Sequence, residues 1–198
     1  VIDTYSDVAH HAVEVEGGGT RFGSGEAKIE KIELLGPSGE PTSLVNTGDA
    51  VRLRLHYRAK ERITAPVFGV SIDTREGIFV WGLHGVDACY VPTSIEPGTG
   101  HLDVNIPRLA LNPGSYTVSA AIQNHDMTSV IDALQKARRF DVLPGPGMES
   151  GGIITLGASF SGLSPERPMR DIARRGAADF QRLARMQAQQ ADALGAED

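Results

Sequence analysis

Apolar and polar positions alternate in short runs over most of this chain, and turn residues separate the runs. Val51, Leu53, Leu55 and Tyr57 interleave with Arg52, Arg54, His56 and Arg58. That period of two marks a strand with one buried face. Ala27, Ile29, Ile32 and Leu34 mark an earlier strand whose alternation breaks at Glu30-Lys31, where a bulge is expected. Val67 to Thr74 follows Pro66, with Phe68, Val70 and Ile72 pointing inward. Arg75-Glu76-Gly77 then turns the chain into Ile78 to His84, so these two segments read as a hairpin. Gly98 to Ile106 alternates again, with Leu102, Val104 and Ile106 inward and His101, Asp103 and Asn105 outward. Gly36-Pro37-Ser38-Gly39 and Asn46-Thr47-Gly48-Asp49 are turns.

The stretch from Leu109 to Asn124 organises the rest. Asn112-Pro113-Gly114 is a turn, since proline presets φ and glycine tolerates φ > 0. Tyr116, Val118, Ala120 and Ile122 then alternate with Thr117, Ser119, Ala121 and Gln123. A tyrosine just past such a corner ties the corner down in an immunoglobulin-like sandwich; the plainer alternative is an edge hairpin. Asp126 to Gln135 reads as a loop, and Arg138 to Leu143 as a strand with Phe140 and Val142 in the core. After Pro144-Gly145-Pro146-Gly147, Gly152 to Phe160 reads as one more apolar strand. Short strands at regular spacing predict an all-β, immunoglobulin-like antiparallel β-sandwich.

The two ends differ from this middle. Residues 1–20 finish in Glu16-Gly17-Gly18-Gly19-Thr20 and read as a linker, in which Asp3, Asp7, His10 and His11 are more simply a chance cluster than metal ligands. The sandwich spans 21–163, and 164–198 is a helical extension. Ser164-Pro165-Glu166 is a helix start, with an N-cap serine, proline at the first position and an acid in the first turn. Met169, Ile172, Gly176, Phe180, Leu183 and Gln187 recur at three and four, giving a C-terminal amphipathic helix. Its six arginines suit an acidic membrane surface, but the thin, alanine-rich stripe favours packing on its own domain or on a twin.

Composition narrows the class. Twenty-three glycines, eleven prolines and 6% aromatics in 198 residues suit a turn-rich β protein. Cys89 is the only cysteine, so no disulfide forms within the chain; a reducing compartment is favoured, and a buried thiol is the default reading. A net charge of −6 argues against a nucleic-acid face. Residues 165–198 balance six arginines against six acids, so the whole charge sits on residues 1–164.

Catalytic signals are poor. The chain has no Gly-x-Ser-x-Gly, no Walker A and no Gly-x-Gly-x-x-Gly at the required spacing. The histidines at 56, 84, 101 and 125 lack ligand spacing, so no metal or cofactor is called for. Asp73 and Asp103 would make a glycosidase only if they met in one cleft. Arg52, Arg54 and Arg58 on one face read as a solvated surface before an anion site. A binding module is therefore expected. The strands at 67–74, 78–84, 115–124 and 138–143 would form one sheet, with Gly69, Ser71, Asp73, Thr117, Ser119, Ala121, Gln123 and Arg139 outward. That row is small and polar along its middle, a shallow trough. Sugars bind where hydroxyls meet amides, carboxylates and guanidinium groups and where C–H faces lie on an aromatic ring. The expected carbohydrate-binding set is Ser71, Asp73, Trp81, His84, Thr117, Ser119, Gln123 and Arg139. Trp81 lies in a strand apolar on both faces, which leaves its direction open between ligand and core.

Arg21-Phe22-Gly23-Ser24-Gly25-Glu26-Ala27, Asn46-Thr47-Gly48-Asp49-Ala50-Val51, Val67-Phe68-Gly69-Val70 and Leu111-Asn112-Pro113-Gly114-Ser115-Tyr116 occur in that order. The ordered set resembles the C-terminal carbohydrate-binding domain of the ATP-binding subunit of O-antigen polysaccharide ABC exporters, the Wzt type, over about residues 21–160. The resemblance implies an immunoglobulin-like sandwich that recognises the glycan, often at its non-reducing end, and that forms a homodimer. It implies an upstream nucleotide-binding domain, a transmembrane partner subunit, and a cytoplasmic place at the inner face of the inner membrane. The helix after Ser164 is not part of that pattern. The alternative from another class is a structural dimerisation module without a glycan ligand.

Overall fold

A computed structural model describes residues 13–15, 19–159 and 161. Twelve strands are found among them: β1 (Val13–Val15), β2 (Gly19–Phe22), β3 (Ala27–Leu35), β4 (Leu44–Asn46), β5 (Val51–Ala59), β6 (Ile63–Thr64), β7 (Val67–Thr74), β8 (Phe79–His84), β9 (Ser94–Ile95), β10 (Gly98–Ile106), β11 (Gly114–Gln123) and β12 (Val130–Leu143). One sheet runs β1-β2-β12-β11-β7-β8, with β4 joined to β12; a second runs β10-β5-β3, and β6 and β9 form a small two-stranded third. Pairing is antiparallel except between β4 and β12. The inner faces of the two sheets share one core, in which Ile29, Leu34, Leu53 and Leu55 meet Val118, Ile122 and Phe140. This is the antiparallel sandwich expected from the period of two. The helix expected after Ser164 and the acid–histidine cluster before residue 12 lie outside the described residues.

The corner forms as the sequence predicts. The Tyr116 hydroxyl donates to the Asn112 carbonyl at 2.7 Å, and its ring stacks on Phe140 with centroids 5.6 Å apart. The Asn112 side chain adds a role that the turn signal did not show. Its Nδ2 donates to the Gly151 and Gly152 carbonyls at 2.9 and 3.1 Å, and its Oδ1 accepts from the Glu149 N–H at 3.2 Å. One buried amide thus pins the chain after the Pro/Gly break to the corner.

The bulge expected in β3 is present, between Ile29 and Lys31. It occurs on an edge strand whose inner residue, Ile29, is fully buried, so its peptide groups need partners. Asp132 Oδ2 accepts from the Ile29 N–H at 2.7 Å. Arg21 donates to the Asp132 carboxylate at 3.0 Å and through Nη2 to the Ile29 carbonyl. An ion pair from the larger sheet therefore completes the hydrogen bonding of the smaller one. Burial pushes the Asp132 carboxyl up, against the lowering pull of the Ile29 N–H and of Arg21.

Several expectations are corrected. Asp126 to Gln135 is not all loop: β12 begins at Val130 and continues for 14 residues. The pattern is masked there because Asp132 occupies an inward position, made tolerable by Arg21. Gly152 to Phe160 forms no strand among its described residues; only Ile154 makes an isolated bridge, to Leu111. Its carbonyls at 151–153 are used by Asn112 and Tyr116 instead. Cys89 is exposed rather than buried, at positive φ in a tight turn. Strands β1 and β2 begin within the stretch read as a linker and pair with each other.

Candidate functional site

The sheet predicted to carry the site exists, and its registers give the outer face row by row. Asp73, Thr117 and Arg139 face one another across β7, β11 and β12. The next row holds Gly82, Ser71 and Ser119, and the third His84, Gly69, Ala121 and Ala133. Three residues of β12, Gln135, Lys136 and Ala137, stand opposite the single Ser119, because Val118 pairs with Arg138 and Ala120 with Leu134. Lys136 takes a positive φ of 51° at this bulge, and its N–H donates to Ser119 Oγ at 3.0 Å. Bulges redirect side chains, and this one brings Gln135 to the edge of the second and third rows.

Those two rows form a trough of about 520 Å³. Its floor is Gly69, Ser71, Ser119, Ala121 and Ala133, and its sides are Phe79 and His84 on β8 and Gln135 on β12. Two glycines make the walls possible. A Cβ at Gly69 would lie 2.8 Å from the His84 ring, and one at Gly82 would lie 2.9 Å from the Phe79 ring. Both rings therefore fold down over backbone where any side chain would lift them. Phe79 is 66% exposed, an apolar plate open to a ligand. No aspartate, glutamate, lysine or arginine lines the trough.

The predicted set divides on this geometry. Ser71, Ser119 and His84 line the trough. Asp73 stands one row away, where burial raises its carboxyl, with Ser71 and Lys136 pulling it back down. Arg139 shares that row. Thr117 and Gln123 face outward by register but are buried, with Thr117 Oγ1 and Gln123 Oε1 lacking hydrogen-bond partners; neither belongs to the trough lining. Trp81, whose direction the sequence left open, faces inward. It pairs with Ile72, an inward residue, and packs against the core.

Phe79 takes the place the sequence reading gave to Trp81. A register shift lies between Ile72 and Asp73, so that Asp73 pairs with Phe79 and Ser71 with Gly82. The shift puts two residues three apart, Phe79 and Gly82, on one face, which strict alternation would separate. The signal available in sequence was the glycine three positions after an aromatic. Gln135 left no such signal, since it sits in a polar run that resembles a loop.

The outer face of the smaller sheet is different in kind. Arg54 grips Asp103 through two nitrogens at 2.8 and 2.9 Å, Arg52 Nε donates to Asn105 at 2.9 Å, and His56 Nε2 donates to Glu33 at 2.7 Å. Arg58 pairs with Glu30. The arginines are thus spent on each other's neighbours, as a solvated surface requires. Asp73 and Asp103 lie on outer faces of opposite sheets, which removes the paired-carboxylate arrangement of a glycosidase.

The architecture is thus an antiparallel β-sandwich with an aromatic-sided trough on the outer face of its larger sheet. The Wzt C-terminal domain family matches residues 19–156, and the chain belongs to that family. Among solved structures, the C-terminal domain of Wzt superposes with a TM-score of 0.65 at 21% identity, covering 75% of this chain and 90% of that one. Fainter likenesses include a Niemann-Pick type C2 protein from the Japanese carpenter ant, with a TM-score of 0.43, 10% identity and coverage of 67% and 99%. Another is a Bacteroides uniformis β-glucuronidase, with a TM-score of 0.40, 11% identity and coverage of 55% and 14%. A search of curated protein sequences gives no match. Family membership connects the chain to the O-antigen ABC exporter in a non-catalytic role.

Proposed function

We propose that this chain binds the O-polysaccharide of its exporter in the trough between Phe79, His84 and Gln135. The observation that carries this is the exposed Phe79 ring beside a floor of small residues. A pyranose has a flat C–H face that lies on such a ring, and its hydroxyls meet Ser71, Ser119 and Gln135. The floor's glycine, alanines and serines let the sugar ring approach the sheet. Binding would raise the local concentration of the correct glycan at the transporter, with the energy for transport supplied by ATP hydrolysis elsewhere in the exporter. The same reading includes a homodimer, a transmembrane partner subunit and a place at the cytoplasmic face of the inner membrane. A glycan array with the isolated chain identifies the sugar; absence of binding to any O-polysaccharide contradicts the reading.

A second reading, dimerisation through this sheet, is favoured by one observation. Ile78 and Phe79, at the start of the edge strand β8, are 55% and 66% exposed, and unpaired strand groups on such an edge invite another chain. Sedimentation of the parent and Phe79→Ser separates the two: a dimer that becomes a monomer supports the dimer face.

A further inference from the structure

We infer that the cleft between the free edges of β8 and β10 binds a single uncharged aliphatic chain. The two sheets are each open on this side, because β8 pairs only with β7 and β10 only with β5. Between them remains a cleft of about 220 Å³. Phe68, Val70, Leu83, Leu102, Val104 and Tyr90 line it, and none contributes an unpartnered buried side-chain polar atom. Apolar side chains on both walls favour an aliphatic group, whose transfer out of water onto such a surface is favourable.

The chemistry at the mouth excludes charge. Asp103 and Asn105 border the cleft, but their side chains are held on the outer face by Arg54 and Arg52. Neither a free cation nor a free anion is left among the lining residues to meet a charged head. The far wall is built in advance. The Gly85 N–H donates to the Phe68 carbonyl and the Tyr90 N–H to the Gly85 carbonyl, both at 2.8 Å. A side chain at Gly85 would collide with the Tyr90 carbonyl. A preformed apolar wall lowers the ordering cost of binding, and each methylene entering the cleft leaves water.

This site is separate from the glycan trough, which lies on the outer face of the larger sheet, and the inference stands without it. Trp81 is a built-in reporter. It is the only tryptophan of the chain, and it lies two residues before Leu83 on the same inward side of β8. Titration with 1-octanol, followed by Trp81 fluorescence, is expected to give a saturable one-to-one response, with octanoate weaker by roughly tenfold or more. Val104→Phe and Leu102→Phe, which fill the cleft, are expected to abolish it at an unchanged melting temperature. Should both variants fail to fold, methyl spectra of the parent decide: octanol is expected to shift Leu83, Leu102 and Val104 and to leave Ala121 and Ala133 in place. No saturable response up to the solubility of octanol, unaltered binding in a folded filled variant, or methyl shifts confined elsewhere would each overturn the inference.

Discussion

The hydroxyl of Tyr116 donates to the backbone carbonyl of Asn112 at 2.7 Å, across the turn that starts the central strand. The tyrosine is 4% exposed, so neither partner has water as a substitute. Tyr116→Phe keeps the stacking on Phe140 and leaves that carbonyl without its best donor. It is expected to cost about 1 to 2 kcal/mol, measured by urea denaturation. A loss indistinguishable from zero would remove the corner hydrogen bond as a stabilising element.

The Arg21–Asp132 pair predicts a second effect. Asp132→Ala leaves the buried Ile29 N–H without its acceptor and the partly exposed Arg21 without its partner, and stranding a buried donor costs about 1 to 3 kcal/mol. Exchange of the Ile29 amide, compared between parent and variant, reports the same event locally. Unchanged protection there would contradict the assigned role of Asp132.

The smaller sheet predicts a pH dependence. Lys31 and His56 hold the Glu33 carboxyl down to about 2, from an ordinary 4.5. A depressed carboxyl contributes stability that is present above the unfolded value and is lost as pH falls through the folded one. The stability gap between the parent and Glu33→Gln should therefore be full above pH 4.5 and close toward pH 2. Asp103, held down chiefly by Arg54, acts in the same direction. Asp73 and Asp132, raised by burial, act in the opposite direction, so the comparison must be made against Glu33→Gln rather than on the parent alone. A gap that widens in acid would refute the assignment.

Where one face of a strand was buried and unbroken, the sequence was a reliable guide. β5, β7, β10 and β11 lie where alternation put them, and Tyr116 with Asn112-Pro113-Gly114 located the corner. Legibility failed where long-range pairing overrides local pattern. Asp132 looks like a loop residue until Arg21, 111 positions away in the chain, is placed beside it. A register shift separates Phe79 from Trp81, which strict alternation puts on one face, and apolar residues on both sides of β8 gave the sequence no means of choosing. Gln135 reaches the trough through a bulge whose left-handed residue is a lysine, a residue type that carries no turn signal. Thr117 and Gln123 alternate outward as expected, but alternation gives direction and not exposure.

The trough makes the most direct demand on the glycan account. With the O-polysaccharide identified by array, calorimetric titration of the parent is compared with Phe79→Ala, Gln135→Ala and Arg54→Ala. Loss of the Phe79 ring should remove about 1 kcal/mol, roughly fivefold in affinity, and loss of the Gln135 amide about 0.5 to 1.5 kcal/mol. Arg54→Ala, on the opposite sheet, should bind as the parent does. Weakened binding in the first two with Arg54→Ala unaffected is the predicted result. Full affinity in Phe79→Ala and Gln135→Ala, or a loss confined to Arg54→Ala, would contradict it.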